Sequence, residues 1–309
     1  MHRKFYTVLR ENAKSLAIVP ENTQVVALQP MGERPPLFMV DSYPYFIDVV
    51  KLTGTDQPVL SLVSPEDTQN SESYSIADEA NSHVKTILDH QPHGPYMLGG
   101  CSASGIVAYE IAQQMRVLGH EVGLLVLCES PNPYFMREYS DFWMSVNSYR
   151  ADLSKLRWGE IPGWLAGKAR GLGEGKPSWL PWKRNTMNRT PSVMDQFGPL
   201  SARVRAARRY CPAPYSGRCL LVKRERDLIG RYRDRNFGWG EVVQGAIEIC
   251  KVGAADHLEI FKSEADRSIV AQRLRKCIDE VIAESHASAR LACSPRNGAV
   301  RLADIGNHG

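Results

Sequence analysis

Short apolar runs that alternate with stretches of helical periodicity constrain the fold of this chain more than any other feature of its sequence. A strand of a parallel sheet is buried on both faces and therefore appears as a near-continuous apolar run, whereas an amphipathic helix repeats its apolar residues every three or four positions. The strand candidates are residues 25–29, 37–41, 58–63, 95–99, 123–128, 218–223 and 246–252. The helix candidates are residues 76–90, 104–118, 199–209 and 263–284. This order predicts an α/β fold with a mostly parallel central sheet flanked by helices.

Residues 130–210 interrupt the alternation. They contain 14 lysines and arginines against six acidic residues, although the whole chain carries a net charge of only +4. They also contain many glycines and prolines and no convincing strand. Five of the six tryptophans lie here: Trp143, Trp158, Trp164, Trp179 and Trp182. We therefore expect a helical, aromatic-rich insertion over about 131–210 within one larger domain.

The two ends of the chain differ from the part between them. Residues 1–24 are charged, lack the apolar stretch of a signal peptide and contain no recognisable carrier domain, so we expect an N-terminal extension of a free-standing protein. Residues 25–285 form the predicted α/β domain. Residues 286–309 are small and polar without periodicity, which predicts a disordered tail.

Composition and cysteine spacing exclude several classes of protein. The chain contains no run of about 18 apolar residues, so no membrane span is predicted. The charge is too mild, and the basic segment too poor in recognition motifs, for a nucleic-acid binder. The seven cysteines are scattered without zinc-site spacing, which predicts reduced thiols in the cytoplasm, no metal site and no bound cofactor.

The stretch "YMLGGCSASGIVAYE", residues 96–110, contains the strongest chemical signal. In G-x-S-x-G motifs a strand passes into a helix through a tight turn that exposes a nucleophilic serine. Here Ser102 takes the nucleophile position, with Gly100 two residues before it and Ser104 two residues after it, where glycine is usual. Gly105 follows. The alternative is a purely structural Gly/Ser turn.

A serine nucleophile needs a general base, and the base needs an acid that orients it. His257, in "GAADHLEIF", follows the last strand candidate and precedes the last helix, which is where the base is expected. Two acids compete. Glu129 follows the strand candidate 123–128, and Asp227 follows the strand candidate 218–223. Asp256, beside the histidine, is expected to cap the segment that follows.

Several segments in a fixed order resemble the thioesterase domains that terminate nonribosomal peptide and polyketide synthesis. The likeness runs over roughly residues 25–283. Its segments are "VALQPMGERPPLFMVD", "QPHGPYMLGGCSASGIVAYEIAQQM", "YCPAPYSGRCLLVKRERD", "FGWGEV" and "ADHLEIF". The resemblance implies an α/β-hydrolase fold with a helical lid over the insertion, Ser102 as nucleophile and His257 as base. It favours Glu129 as the acid, in a position where the family has aspartate.

The resemblance also implies an oxyanion hole made of the backbone N–H groups of Tyr43 and Ala103. The family usually has a glycine-containing loop after the second strand, whereas residues 41–45 here read Asp-Ser-Tyr-Pro-Tyr. Losing one oxyanion donor costs about 100- to 1000-fold in rate. A catalytically weak acyl-binding homologue is therefore kept as one alternative.

The function implied is cleavage of an acyl or peptidyl thioester through an acyl-enzyme. The expected partner is a carrier protein, acting in trans, whose phosphopantetheine arm bears the substrate. The basic insertion would attract an acidic carrier, or it is only a solvated surface. Its tryptophans would line an acyl pocket, or they only pack the lid. An esterase or acyltransferase with the same triad is the other alternative, and the sequence does not distinguish hydrolysis from cyclisation.

Overall fold

The computed structural model describes residues 25–42, 46–64, 73–134, 157–163, 200–225, 235–254 and 259–293. All seven predicted strands are present, each within two residues of its expected ends. They are β1 (Val25–Gln29), β2 (Leu37–Val40), β3 (Val59–Leu62), β4 (Tyr96–Cys101), β5 (Val122–Cys128), β6 (Cys219–Arg224) and β7 (Ile247–Val252).

The strands form one sheet in the order β1-β3-β2-β4-β5-β6-β7. Strand β1 is antiparallel to β3, and every other neighbouring pair is parallel. The predicted fold class is confirmed. Because β2, β4 and β5 are neighbours, their carboxyl ends meet at the middle of one sheet edge, with Val40 paired to Gly100 and Cys101 paired to Cys128.

Helices cover both faces of this sheet. They are α1 (Ile47–Val50), α2 (Ile76–His90), α3 (Ala103–Val117), α4 (Leu200–Arg209) and α5 (Glu264–Cys293). Short 3₁₀ helices lie at Trp158–Glu160, Trp239–Glu241 and Glu259–Phe261. Ser75 caps the amino end of α2, because its hydroxyl accepts the backbone N–H of Asp78 (3.3 Å) and so satisfies one of the free donors of the first turn.

Two apolar layers hold the helices to the sheet. Successive residues of a strand point to opposite faces, so Phe38 packs in the layer that includes α2 and α3, and Met39 packs in the layer that includes α1 and α5. Leu98 and Met97 divide in the same way between the two layers. The central strands are therefore buried on both faces, which fixes the position of the loops at their ends.

Helix α5 is longer than the sequence predicts. It ends at Cys293, so the prediction of a disordered tail from residue 286 is wrong for residues 286–293. Residues 286–290 are exposed in the helix, which explains the lack of apolar periodicity. Ala287 and Ala289, which have high helix propensity, and Arg290 continue the helix without burying a face. Residues 294–309, like residues 1–24, lie outside the described part of the chain.

Three short parts of the predicted insertion are described: residues 131–134, residues 157–163 and helix α4. At the first of these, Asn132 is 1% exposed and is fixed to the body of the domain. Its backbone N–H donates to the Phe237 carbonyl (2.9 Å) and its amide group donates to the Gly238 carbonyl (3.0 Å). The tryptophan in the second part, Trp158, is 91% exposed. The other four tryptophans of the insertion lie outside the described residues.

Two kinds of feature are absent from the described ranges. None of the helices there is both long and apolar enough to cross a membrane. Within the same ranges, no group of three or more histidine, cysteine, aspartate or glutamate side chains is arranged to hold a metal ion.

Candidate active site

Ser102 lies in the tight turn between β4 and α3. Its backbone angles are φ 55° and ψ −128°, a conformation that side-chain-bearing residues rarely adopt and that persists only where the surroundings enforce it. The surroundings do so here, because the Ser102 N–H donates to the Cys128 carbonyl (2.9 Å) and the Ser102 carbonyl accepts from the Gly105 N–H (3.1 Å). The half-buried Ser102 therefore occupies the strand–turn–helix geometry expected of a nucleophile, and its catalytic role stays a prediction.

The turn is so tight that two of its positions admit no side chain. A Cβ atom at Gly100 would lie 2.4 Å from the Ser104 carbonyl oxygen, and one at Gly105 would lie 2.1 Å from Ser130 Oγ. Position 104, where glycine is usual, does admit one. The Ser104 hydroxyl accepts a hydrogen bond from Arg203 (3.0 Å). The serine that stands in place of the usual glycine therefore makes a specific contact.

Three neighbouring strands of the sheet are each followed directly by a residue with positive φ. These residues are Asp41 after β2 (φ 41°), Ser102 after β4 (φ 55°) and Glu129 after β5 (φ 47°). Asparagine and aspartate tolerate this region better than most residues, whereas glutamate and serine do so rarely. Backbone strain of this kind concentrates at functional sites, and here it concentrates at one sheet edge.

Glu129 is buried, and an arginine of the next strand holds its carboxylate. Oε1 accepts the backbone N–H of Arg224 (2.9 Å), and Oε2 accepts from the Arg224 guanidinium Nε (2.8 Å). The Glu129 side chain is only 2% exposed and that of Arg224 is 15% exposed. Each carboxylate oxygen can accept more than one hydrogen bond, so this pairing leaves capacity for a further donor. Sequence reasoning missed Arg224. The one feature that could have pointed to it is its place directly after the predicted strand 218–223.

The structure brings together only part of the predicted site. Ser102, Ala103 and Glu129 lie at the same edge of the sheet, and Ala103 is the first residue of α3, where backbone N–H groups have no partner within the helix. The predicted base His257, the alternative acid Asp227 and the oxyanion donor Tyr43 lie outside the described residues, as does Asp256. The segment that contains His257 leaves the carboxyl end of β7 and leads into the 3₁₀ helix Glu259–Phe261.

A buried charged cluster lies directly behind the turn. We call it the Arg203 cluster, and it consists of Arg203 on α4 with Asp41, Ser64, Tyr74, Glu79 and Ser104. Arg203 is fully buried, and its Nη1 lies 2.6 Å from Asp41 Oδ2. Glu79, which is 4% exposed, accepts from Arg203 and from Tyr74. None of these residues was assigned to the site from the sequence.

Arg203 and Glu79 stabilise each other's charge within this cluster. Burial by itself would raise the pKa of the Glu79 carboxyl, but the Arg203 guanidinium, together with hydrogen bonds from His83, Ser64 and Tyr74, outweighs burial and lowers that pKa to about 2. Burial would likewise lower the pKa of Arg203, but the carboxylates of Asp41 and Glu79 outweigh burial and raise that pKa well above its ordinary value. Both side chains are therefore ionised at neutral pH.

A known protein family matches the central part of this site. Residues 51–142 match the family model of the Thioesterase domain. That range contains the strand–turn–helix unit, Ser102 and Glu129. The resemblance predicted from the sequence is therefore confirmed over these residues.

Similarity to individual proteins extends further along the chain. The chain is 27% identical over 258 residues, 79% of its length, to malpibaldin synthetase of Mortierella alpina. It is 35% identical over 99 residues, 30% of its length, to the non-reducing polyketide synthase CTB1 of Cercospora nicotianae. It spans only 4% of the length of either relative.

A solved structure agrees with the fold. The NocB thioesterase domain, in covalent complex with a fluorophosphonate nocardicin G analog, matches with a TM-score of 0.55 at 22% identity. The match covers 82% of this chain and 99% of that one. The arrangement of strands and helices is thus that of the α/β-hydrolase fold predicted from the sequence.

Proposed function

We propose that this chain is a serine thioesterase that releases an acyl or peptidyl group from a thioester through an acyl-enzyme. The observation that carries the proposal is the strained backbone of Ser102 at the amino end of α3, beside a buried carboxylate on the next strand. The family match over residues 51–142 supports the reaction class.

In the proposed first half-reaction, His257 accepts the Ser102 proton as Oγ attacks the thioester carbonyl carbon. The carbonyl π electrons move to oxygen, and the backbone N–H groups of Ala103 and Tyr43 stabilise the resulting oxyanion. When the intermediate collapses, the C–S bond breaks and His257 returns the proton to the leaving thiolate. The products are a free thiol and an ester on Ser102.

The second half-reaction releases the acyl group. Water loses a proton to His257 and attacks the ester carbon, which gives a free acid and restores Ser102. A hydroxyl or amine of the acyl chain in place of water gives a ring. Throughout, Glu129 accepts a hydrogen bond from the imidazole and orients it, and Arg224 holds Glu129 in place.

The proposed substrate is carried on the phosphopantetheine arm of a carrier protein. Two relatives support this class, since one is a polyketide synthase and the other a synthetase. The excess of positive charge in residues 130–210 favours an acidic carrier surface, acting in trans. A salt titration that slows hydrolysis of carrier-bound and of small thioesters equally would contradict this assignment of the partner.

The central test is covalent labelling of the full chain with a fluorophosphonate probe, located by mass spectrometry. We expect a phosphonate adduct on Ser102 and none on Ser102→Ala. The Ser82→Ala variant, which changes a serine of α2 outside the site, should label like the wild type. A wild-type chain that folds but is not labelled would overturn the proposal and favour the acyl-binding alternative.

The same preparation distinguishes a thioesterase from an esterase. We expect a higher kcat/KM for acyl thioesters of N-acetylcysteamine than for oxyesters of the same acyl groups. A faster reaction with the oxyesters would favour the esterase alternative, with Ser102 still as nucleophile.

A further inference from the structure

Arg203 joins separate segments of the chain that surround the Ser102 turn. It lies on α4, and its partners lie after β2 (Asp41), after β3 (Ser64), on α2 (Glu79) and on α3 (Ser104). All of these segments are distant from α4 in sequence. A single fully buried side chain therefore fixes their relative positions.

The contacts use every nitrogen of the guanidinium group. Nη1 reaches Asp41 Oδ2 (2.6 Å) and donates to Ser104 Oγ (3.0 Å). Nη2 donates to Ser64 Oγ (2.7 Å) and to Glu79. Nε donates to Glu79 Oε2 (3.3 Å) and to the Tyr74 hydroxyl (3.3 Å). This arrangement requires a planar fork of donors, which a lysine ammonium cannot reproduce.

Asp41 is held on its other side as well. Its Oδ1 accepts the backbone N–H of Ser64 (3.1 Å), and its Oδ2 accepts from Ser64 Oγ (3.1 Å). These bonds and the pairing with Arg203 support the positive φ of Asp41 (41°). Asp41 begins the loop from which the proposed oxyanion donor Tyr43 comes, whereas Ser104 lies in the first turn of α3, beside the other proposed donor, Ala103.

We propose that Arg203 is a positioning residue of the active site. It fixes the end of β2, at Asp41, and the first turn of α3, at Ser104, relative to each other. It acts through Asp41 and Ser104 and does not contact the reacting atoms. This inference rests on the proposed function and adds a residue that neither the sequence motif nor the family resemblance assigns. It also gives Ser104 a role, because glycine at that position would offer Arg203 no acceptor.

The test is Arg203→Lys, which keeps the buried charge and removes the fork. A misplacement of about 1 Å among catalytic groups costs about 100-fold in rate, so we expect kcat for an acyl N-acetylcysteamine thioester to fall about 10- to 100-fold with KM little changed. The rate of fluorophosphonate labelling at saturating probe should fall in parallel. Both rates are measured at a temperature well below the unfolding midpoint of each protein, which is determined by circular dichroism.

The matched control is Arg218→Lys. Arg218 also pairs with two carboxylates, those of Glu280 (3.2 Å) and Glu284 (2.6 Å), but it precedes β6 and so lies at the opposite edge of the sheet. We expect this variant to keep the wild-type kcat. If Arg203→Lys is less stable but has an unchanged kcat when folded, Arg203 is only structural and the inference is overturned.

Ser104→Ala decides the question if Arg203→Lys does not fold. It removes one acceptor and leaves the pairs of Arg203 with Asp41 and Glu79 in place. We expect kcat to fall about tenfold and the free energy of unfolding to fall as well, because one buried N–H of Arg203 loses its acceptor. A wild-type kcat in the folded variant would overturn the inference. A wild-type protein that is not labelled at Ser102 would overturn the proposed function itself, and these two results are distinguished in the same assay.

Discussion

At the scale of single residues, the most informative side chain is Glu129. The family resemblance implies aspartate at this position, and glutamate adds one methylene group. The structure accommodates the added length because Arg224 binds both carboxylate oxygens, one through its backbone N–H and one through its guanidinium. Glu129 and Arg224 therefore form one unit, in which the arginine decides where the longer carboxylate points.

Arg224→Met tests this unit. The variant keeps the backbone N–H bond to Oε1 and removes the guanidinium bond to Oε2, so the carboxylate gains freedom to turn. We expect kcat for thioester hydrolysis to fall about tenfold with KM little changed. Arg273→Met is the control, because it breaks a comparable pair with Glu248 (2.7 Å) on α5 and β7. An unchanged kcat in Arg224→Met would show that Glu129 needs no such support or is not the acid.

Sequence patterns predicted some of these residues and missed others for a physical reason. Ser102 and Glu129 follow apolar runs, so their places at strand ends could be predicted. Arg203 and Arg224 act through partners about a hundred residues away in sequence. No local pattern distinguishes Arg203 from the other arginines of α4, and only the folded chain shows which one is buried.

At the scale of elements, the strands were the most predictable part of the fold. The central strands β2, β4, β5 and β6 are buried on both faces, so their apolar runs are nearly continuous. Helix ends were less predictable. Helix α5 passes its expected end because alanine-rich exposed residues extend a helix without an amphipathic pattern. The loop residues that the family resemblance marks as functional, His257 and Tyr43, lie outside the described ranges, so their roles stay predictions.

The strand–turn–helix unit depends on Gly100. We expect Gly100→Ala to lower the free energy of unfolding by about 1–3 kcal/mol, the cost of forcing extra volume into a packed site, because the new methyl group would meet backbone atoms of Ser104 and Gly105. Urea unfolding measures the change, and fluorophosphonate labelling of Ser102 should slow in the folded variant. Gly159→Ala, where a Cβ would meet nothing within 4 Å, should match the wild type in both assays.

At the scale of the whole molecule, the Arg203 cluster makes the stability of the domain depend on buried charges. One cation and two carboxylates lie behind the site with little contact with water. Loss of the cation or of a carboxylate therefore leaves a buried charge without its partner. His83 adds to this environment, with its Nε2 3.3 Å from Ser64 Oγ and 3.5 Å from Glu79 Oε1. The stability of the domain should therefore depend on pH through this cluster.

Glu79→Gln measures that dependence. The pKa of Glu79 is lowered from 4.5 to about 2, so its ionised form contributes stability above pH 4.5, and that contribution is lost as the pH falls through 2. We expect Glu79→Gln to be less stable than the wild type by about 3 kcal/mol at pH 7, with the difference shrinking below pH 4.5. Urea unfolding from pH 7 to pH 3 tests this, with exposed Glu121→Gln as control. A difference that stays constant with pH would contradict it.

Asn132 and Arg203, each fixed to the body of the domain, lie on either side of the long stretch between residues 134 and 200. The contacts of Asn132 with Phe237 and Gly238, and of Arg203 with Asp41, fix the chain to the domain before and after this stretch. Under the proposed function, a different stretch between these two residues would leave the positions of Ser102 and Glu129 unchanged. The same two anchors mark natural cut points for grafting the corresponding stretch from a relative.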